Sequence, residues 1–231
     1  MDAYRGAIFY IDDFMGAQAQ DYLNNLISRV DNSIKQGFIK ESDLKPNWQD
    51  FLSIIVEHNI RALYHFTDIK NVKHIKEFEG LLSQAKLEQQ EIEVQFGGND
   101  LSRDLDQSYG TNEYIHLSFL ENHPMAYNLT QCGKHIVTFK ITPFVILLKD
   151  TIFSDKNAAS STHKQGGDIQ DFKNIDFNAI KKPFAYRDDP CFEKRQAEVM
   201  VKDFIPINCI RNFKNIWLTS QSILNNQPKP N

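Results

Sequence analysis

The pattern of apolar and polar positions divides the chain into a helical front part and a strand-rich remainder. Leu23, Leu26, Ile27 and Val30 recur at helical spacing, and Phe51, Leu52, Ile54, Ile55 and Val56 form a second apolar face after Pro46. Both predict helices within residues 1–60. Leu63 to Phe66 reads as a short strand followed at once by a helix: Thr67 or Asp68 caps it, Ile69, Val72, Ile75 and Phe78 form its buried stripe, and Gly80 stops it. Residues 84–112 are polar and loop-like, with a turn at Gly97-Gly98-Asn99. Tyr114 to Phe119 alternates as a strand, and residues 135–149 form another strand region with Ile136, Val137, Phe139, Ile141 and then Val145 to Leu148. From Thr151 to Asp189 the chain is long, polar and rich in Gly, Asn and Asp, and loops of that length are uncommon unless functional. It leads into Arg195 to Val201, a strand with Ala197, Val199 and Val201 on one face and Gln196, Glu198 and Met200 on the other. The expected organisation is a helical N-terminal extension at 1–60, one domain at 61–226 and a frayed tail at 227–231.

Length and composition narrow this little. The 231 residues suffice for one large domain, or one domain with a small extension, and 41% hydrophobic with 24% charged residues is ordinary for a globular protein. No run of about 18 apolar residues predicts a membrane span. The first residues, Met1 to Arg5, lack the basic and then apolar pattern of a signal peptide. The three cysteines (Cys132, Cys191, Cys209) are odd in number and have no CxxC spacing. They predict reduced thiols in a cytoplasm, not a disulfide framework or zinc site.

Charge adds one constraint. The net formal charge is −4, and residues 1–60, with 5 Lys+Arg against 9 Asp+Glu, account for all of it; the other 21 and 21 cancel. A protein that coats duplex nucleic acid is normally basic, so any such contact here is local. The local basic field is Lys164, Lys173, Lys181, Lys182, Arg187, Lys194 and Arg195, around the long loop and the strand after it.

Candidate chemistry lies at a few positions. A Glu198 carboxylate standing out of an apolar strand costs desolvation unless water, a cation or a substrate meets it. The bland alternative is the wet face of a half-buried sheet. Gln196, two residues earlier, points the same way in a strand, which suits a site that orients one group and polarises another. The strand-to-helix junction after His65 puts backbone N–H groups and a positive dipole end where a pyrophosphate could sit, although a lone strand histidine is usually a satisfied core residue. Arg103 sits among acids, and by itself that is a solvated cluster. His116, His123 and Glu121 fit no compact metal motif, and no metal is expected. Phe153, Phe172, Phe184 and Tyr186 either stack an unpaired base or anchor the long loop.

Five stretches in order and spacing resemble the DarT family. They are Leu63-Tyr64-His65-Phe66-Thr67-Asp68 through Asn71, and Gly98-Asn99-Asp100-Leu101 with Arg103. They continue with His116-Leu117-Ser118-Phe119 through His123-Pro124-Met125, Ser154-Asp155 through Asn157-Ala158-Ala159, and Arg195-Gln196-Ala197-Glu198. The resemblance covers roughly residues 61–217. It implies an α+β ADP-ribosyltransferase fold, in which two roughly perpendicular antiparallel β-sheets form an NAD cleft with flanking helices. It further implies a toxin-type enzyme that moves ADP-ribose from NAD to a base in single-stranded nucleic acid, DNA favoured over RNA, releasing nicotinamide.

On that resemblance Glu198 and Arg103 are the catalytic residues. His65 and Thr67 hold the adenosine side or the nicotinamide ribose of NAD, Asn71 contacts the dinucleotide, and Ser118 supports the cleft. Gln196, Asn157 and Arg195 are placed at the acceptor, and residues 151–190 form the loop before the catalytic strand that positions the acceptor nucleotide. NAD is the co-substrate, no metal is required, and a cognate antitoxin is the implied partner in a bacterial or phage-defence setting. Two other outcomes stay open: a catalytically silent NAD- or ADP-ribose-binding module of a defence complex, and an NAD hydrolase with water as acceptor.

Overall fold

A computed structural model describes residues 19–95, 108, 110–183, 185–186 and 188–225. Two helices come first, α1 (Ala19–Lys35) and α2 (Trp48–Glu57). β1 (Leu63–Asp68) leads through a short 3-10 turn into α3 (Val72–Glu77), and then come β2 (Gly80–Leu82) and α4 (Gln84–Gln89). β3 (Tyr114–Ser118), α5 (Pro124–Gln131) and β4 (Ile136–Ile141) follow. The long polar stretch holds β5 (Ile152–Ser154), β6 (Gln165–Gly166), α6 (Ile169–Lys173), α7 (Phe177–Lys181) and α8 (Cys191–Lys194). β7 (Glu198–Lys202), β8 (Phe204–Pro206) and α9 (Phe213–Asn225) complete the described chain.

The strands form two antiparallel sheets, one in the order β4-β1-β3-β7-β5-β6 and one pairing β2 with β8. β7 lies inside the larger sheet, with Ser118 opposite Glu198 on one side and Ser154 opposite Glu198 on the other. Asp203, with φ at 61°, turns the chain from β7 into β8 and so from one sheet to the other. β1 and β4 pair over their whole length, whereas β1 and β3 share only the pair Tyr64 and Ser118. Beyond that pair the two strands are free to splay, and a cleft opens between them.

Several local expectations are corrected. Gly80 does not end the helix. Phe78 is the C-cap, and Gly80 begins β2, where an added Cβ would run into the Ile205 carbonyl and the Phe204 ring. Its small size serves the close approach of β8. Val145 to Leu147 is a 3-10 segment capped by Thr142, not a strand. Gln84 to Gln89 is helical, because Ser83 accepts a hydrogen bond from the Lys86 N–H as an N-cap.

The larger correction concerns residues 151–189, which are not a structureless loop. Phe153 and Phe172 are buried and pack with Phe51 of α2, at centroid distances of 4.6 Å to each other and 5.8 Å each to Phe51. Phe177 meets Phe172 edge-on at 5.6 Å. Periodicity hid this, since each element here is five residues or shorter and supplies one or two anchors. Helices α1 and α2 pack into the same core through Leu26, Val30, Trp48, Phe51 and Ile55, all buried with the sheet residues.

Truncating Phe172 to alanine should therefore cost about 3–5 kcal/mol, the usual loss for a buried aromatic ring. Urea denaturation of wild type and Phe172→Ala measures it, and a loss below about 1 kcal/mol would mean that the aromatic cluster does not hold this stretch.

Candidate functional site

The cleft between the splayed strands holds a cavity of about 260 Å³. Its described lining brings together His65, Thr67 and Asn71 from β1 and the turn after it, His116 and Ser118 from β3, Asn157 and Ala158, and Glu198. Apolar walls come from Ile75, Leu81, Leu87 and Ile115. An apolar wall lowers the local dielectric, which strengthens each fixed charge inside.

Glu198 begins β7 and is 9% exposed. Both its carboxylate oxygens are held: Oε2 receives the His116 Nδ1 at 2.6 Å and Oε1 the Ala158 N–H at 3.1 Å. His116 stands two residues before Ser118 on β3 and faces the same side of the sheet as Glu198 and Met200. Its Nε2 lies 3.2 Å from the Thr111 carbonyl, so both ring nitrogens face oxygen acceptors. The Ala158 N–H is aimed by its own loop, where Asn157 Oδ1 accepts from the Ala159 N–H at 2.9 Å and Ser154 Oγ donates to the Lys156 carbonyl at 2.7 Å.

Two further histidines of the lining, His65 and His123, favour the neutral form. Burial lowers the His65 pKa, only partly countered by the hydrogen bond to the His116 carbonyl at 3.2 Å. A neutral ring with Nδ1 against a carbonyl carries its proton there, leaving the Nε2 lone pair as an acceptor. His123 is buried and stacks on Phe66 at 5.2 Å, and its Nδ1 accepts from the Met125 N–H as the cap of α5. Burial pulls its pKa down as well, against the pull of Glu198.

The remaining expected site residues divide. Thr67 and Asn71 line the cavity and bond to each other, Asn71 Nδ2 donating to Thr67 Oγ1 at 2.9 Å. Asn71 also clamps the backbone of Gln95, giving Nδ2 to its carbonyl and taking its N–H on Oδ1. Ser118 is buried and accepts from the Leu120 N–H at 2.9 Å. Gln196 does not share the strand face with Glu198: it lies in the turn after α8, and its amide donates to the Phe192 carbonyl at 3.4 Å. Arg195 donates to the Pro183 carbonyl at 3.3 Å, and neither it nor Gln196 is in the described lining. Arg103, with Gly98 to Leu101, lies outside the described residues, as do Phe184 and Arg187.

The bland alternative, a wet strand face, does not hold, since Glu198 and Met200 on that face of β7 are both buried. Phe153 and Phe172 are core anchors and offer no face to a base, whereas Tyr186 is 72% exposed. His116 stands in one of the resembling stretches but is given no role there and reads in sequence only as a poor metal ligand; the usable signal is its two-residue spacing from Ser118 on one strand face. Among the described residues no three His, Cys, Asp or Glu side chains form a metal-binding group, and no helix is long and apolar enough to cross a membrane.

Comparison with known proteins gives the wider context. A sequence model of the family described as "ssDNA thymidine ADP-ribosyltransferase, DarT" matches residues 64–224. Thermus sp. 2.9 DarT in complex with ADP-ribosylated ssDNA is similar in structure with a TM-score of 0.58 at 17% identity, over 74% of this chain and 92% of that one. Its complex with NAD+ gives 0.51 at 17% identity, over 73% and 92%. Thermosipho africanus DarTG in complex with ADP-ribose gives 0.56 at 22% identity, over 72% of this chain and 48% of that chain. No curated protein matches the chain by sequence. These structural likenesses show the ADP-ribosyltransferase fold that the sequence resemblance implied.

The neutral His123 sets a pH dependence. Its folded pKa lies below the ordinary 6.5, so the unfolded chain binds the extra proton first as pH falls. The stability it contributes is complete above about pH 6.5 and is lost as pH falls toward the lower, folded value. In His123→Asn an amide oxygen keeps the cap but does not titrate. Urea denaturation at pH 7.5 and 5.5 should show a smaller acid loss for the variant than for wild type; equal losses would mean that His123 charges freely in the folded state.

Proposed function

The chain belongs to the DarT family of single-stranded-DNA thymidine ADP-ribosyltransferases, and from that premise we propose how its residues move ADP-ribose from NAD to a thymine base. The observation that carries the reading is the Glu198 carboxylate, held at both oxygens by His116 and the Ala158 N–H on the wall of an apolar cleft. Breaking the nicotinamide–ribose bond gathers positive charge at the ribose. A fixed carboxylate stabilises that charge, and because its dipoles are already in place nothing has to reorganise as the bond breaks. The same carboxylate, by accepting a proton, serves as base for the incoming acceptor. The products are nicotinamide, ADP-ribosylated base and that proton.

The other roles follow from the same geometry. His65, with its free Nε2 lone pair, accepts from a ribose hydroxyl of NAD. Thr67 and Ser118 shape the walls, and Asn71 positions the segment at Gln95 that closes one side. Arg103 is assigned to anion recognition from the family resemblance, where a planar guanidinium binds in two-point fashion. Asn157, at the cavity wall, and the exposed Tyr186 are assigned to the acceptor side, with Gln196 and Arg195 supporting the turn that precedes β7. DNA is favoured over RNA by the family description. A cognate antitoxin, a cytoplasmic site of action and a role in phage defence complete the proposal. The intact hold on Glu198 argues against a silent binding module.

Radiolabelled NAD incubated with oligo-dT, oligo-dA, oligo-U or protein tests the acceptor, followed by mass spectrometry of the oligonucleotides. Label is expected on oligo-dT, and label on none of the four would sink the transferase reading; NAD consumption without any labelled acceptor would make the protein a hydrolase. Glu198→Gln should lower transfer by roughly 10²–10³-fold or more while NAD binding by calorimetry changes little. His116→Gln should lower the turnover number by about tenfold to a hundredfold through a loosened carboxylate, and a wild-type turnover would remove His116 from that role.

A further inference from the structure

The most unusual buried group lies outside both the cleft and the family-matched residues. Lys45 is 4% exposed, and its Nζ donates to three backbone carbonyls: Thr151 and Gly167 at 2.6 Å each, and Lys149 at 3.3 Å. It also lies over the rings of Phe51 and Phe153, at 5.2 and 5.4 Å from their centroids. The backbone around it is tied down too: Lys45 N–H bonds the Leu147 carbonyl, Lys149 N–H bonds the Asp43 carbonyl, and Leu44 bridges Leu148.

The carbonyls it holds are not scattered. Thr151 and Gly167 are the two ends of one excursion, made of β5, the turn through Asn157 to Ser160, and β6. That excursion pairs Ser154 with Glu198 and supplies the Ala158 N–H to the Glu198 carboxylate. Its middle is braced by the Asp155 N–H on the Lys164 carbonyl and the Lys164 N–H on Asp155 Oδ1. We propose that Lys45 is a positioning residue for ADP-ribosyl transfer, a cation supplied by the N-terminal segment that staples both ends of the excursion holding Glu198. This rests on the reading of Glu198 as the catalytic carboxylate.

Simple core packing does not account for the choice of residue. Methionine fills the same volume without a desolvation penalty, and here burial pulls the lysine pKa down to about 8 despite the nearby Asp150, Asp168 and Asp171. An ammonium has three N–H donors and no acceptor, which matches three carbonyls converging from two chain segments. Remove it and those carbonyls lose a buried partner, so the ends of the excursion separate or admit water.

The test compares the full chain with Lys45→Met by two readouts. The first needs no catalysis: amide hydrogen exchange should quicken in residues 151–167 while α1 and the β1–β4 pair stay protected. The second is the partition of cleaved NAD between labelled oligo-dT and free ADP-ribose, a ratio that a reduced folded fraction leaves unchanged. A loosened excursion admits water, so free ADP-ribose should rise at least about threefold relative to transfer, with the KM for NAD little changed. Unchanged exchange and an unchanged ratio would overturn the staple. Quickened exchange with an unchanged ratio would reduce Lys45 to a structural residue, and so would failure of both Lys45→Met and Lys45→Gln to fold. Wild-type protein that labels no acceptor would instead strike the proposed function, leaving the exchange result to judge the staple.

Discussion

A carboxyl group buried in an apolar cleft needs partners for its oxygens, and much of the larger sheet is arranged to supply them to Glu198. β3 brings His116 to one oxygen, and the excursion after β5 brings the Ala158 N–H to the other. Both neighbours can reach it only because β7 is an interior strand, with Ser118 and Ser154 opposite Glu198 on its two sides. An edge strand would have offered one neighbour and left an oxygen to water. The hydrogen bonds hold the group where it is, and the apolar walls raise the value of its charge.

The cleft itself comes from a pairing that stops early. β1 pairs along all of β4 but touches β3 at one register pair, so these two neighbouring strands diverge and residues of both line the cavity. Neutral His65 and His123 fit such a place, since burial disfavours their charged forms and each has a hydrogen bond that selects one tautomer. A site in which His116 and a backbone N–H hold the carboxylate while His65 and His123 favour their neutral forms separates charge stabilisation from hydrogen bonding. That division suits chemistry in which positive charge develops and a neutral base leaves.

Residues 151–189 join the helical front part to the site. Their polar composition conceals anchors, Phe153, Phe172 and Phe177, which pack on Phe51 or on one another, and Lys45 reaches across to the same place. The long stretch thus has a firm base in the core and a working tip at the cleft. Asn157 and Ala158 are set by tight local turns that the base holds in position.

Much of this was legible from sequence. The strand around Val199 and Val201, the β1-to-α3 junction at Asp68 and the helices at Leu26 and Phe51 follow from local periodicity and capping, which depend only on near neighbours. Glu198 stood out as a carboxylate in an apolar run, and the five resembling stretches brought His65, Thr67, Asn71, Ser118 and Asn157 to one region before any coordinates. Gln196 and Arg195 departed from the expectation because a strand begins where its partners pair, and pairing with β3 begins at Glu198. The hold on that carboxylate was out of reach of sequence for the same reason: its partners lie 82 and 40 positions away, one of them a backbone N–H that no residue type announces. Local pattern determined which segments could be strands and helices and which residue could carry the charge. Tertiary pairing alone decided what holds that charge, because register and loop closure join groups that the linear chain keeps far apart.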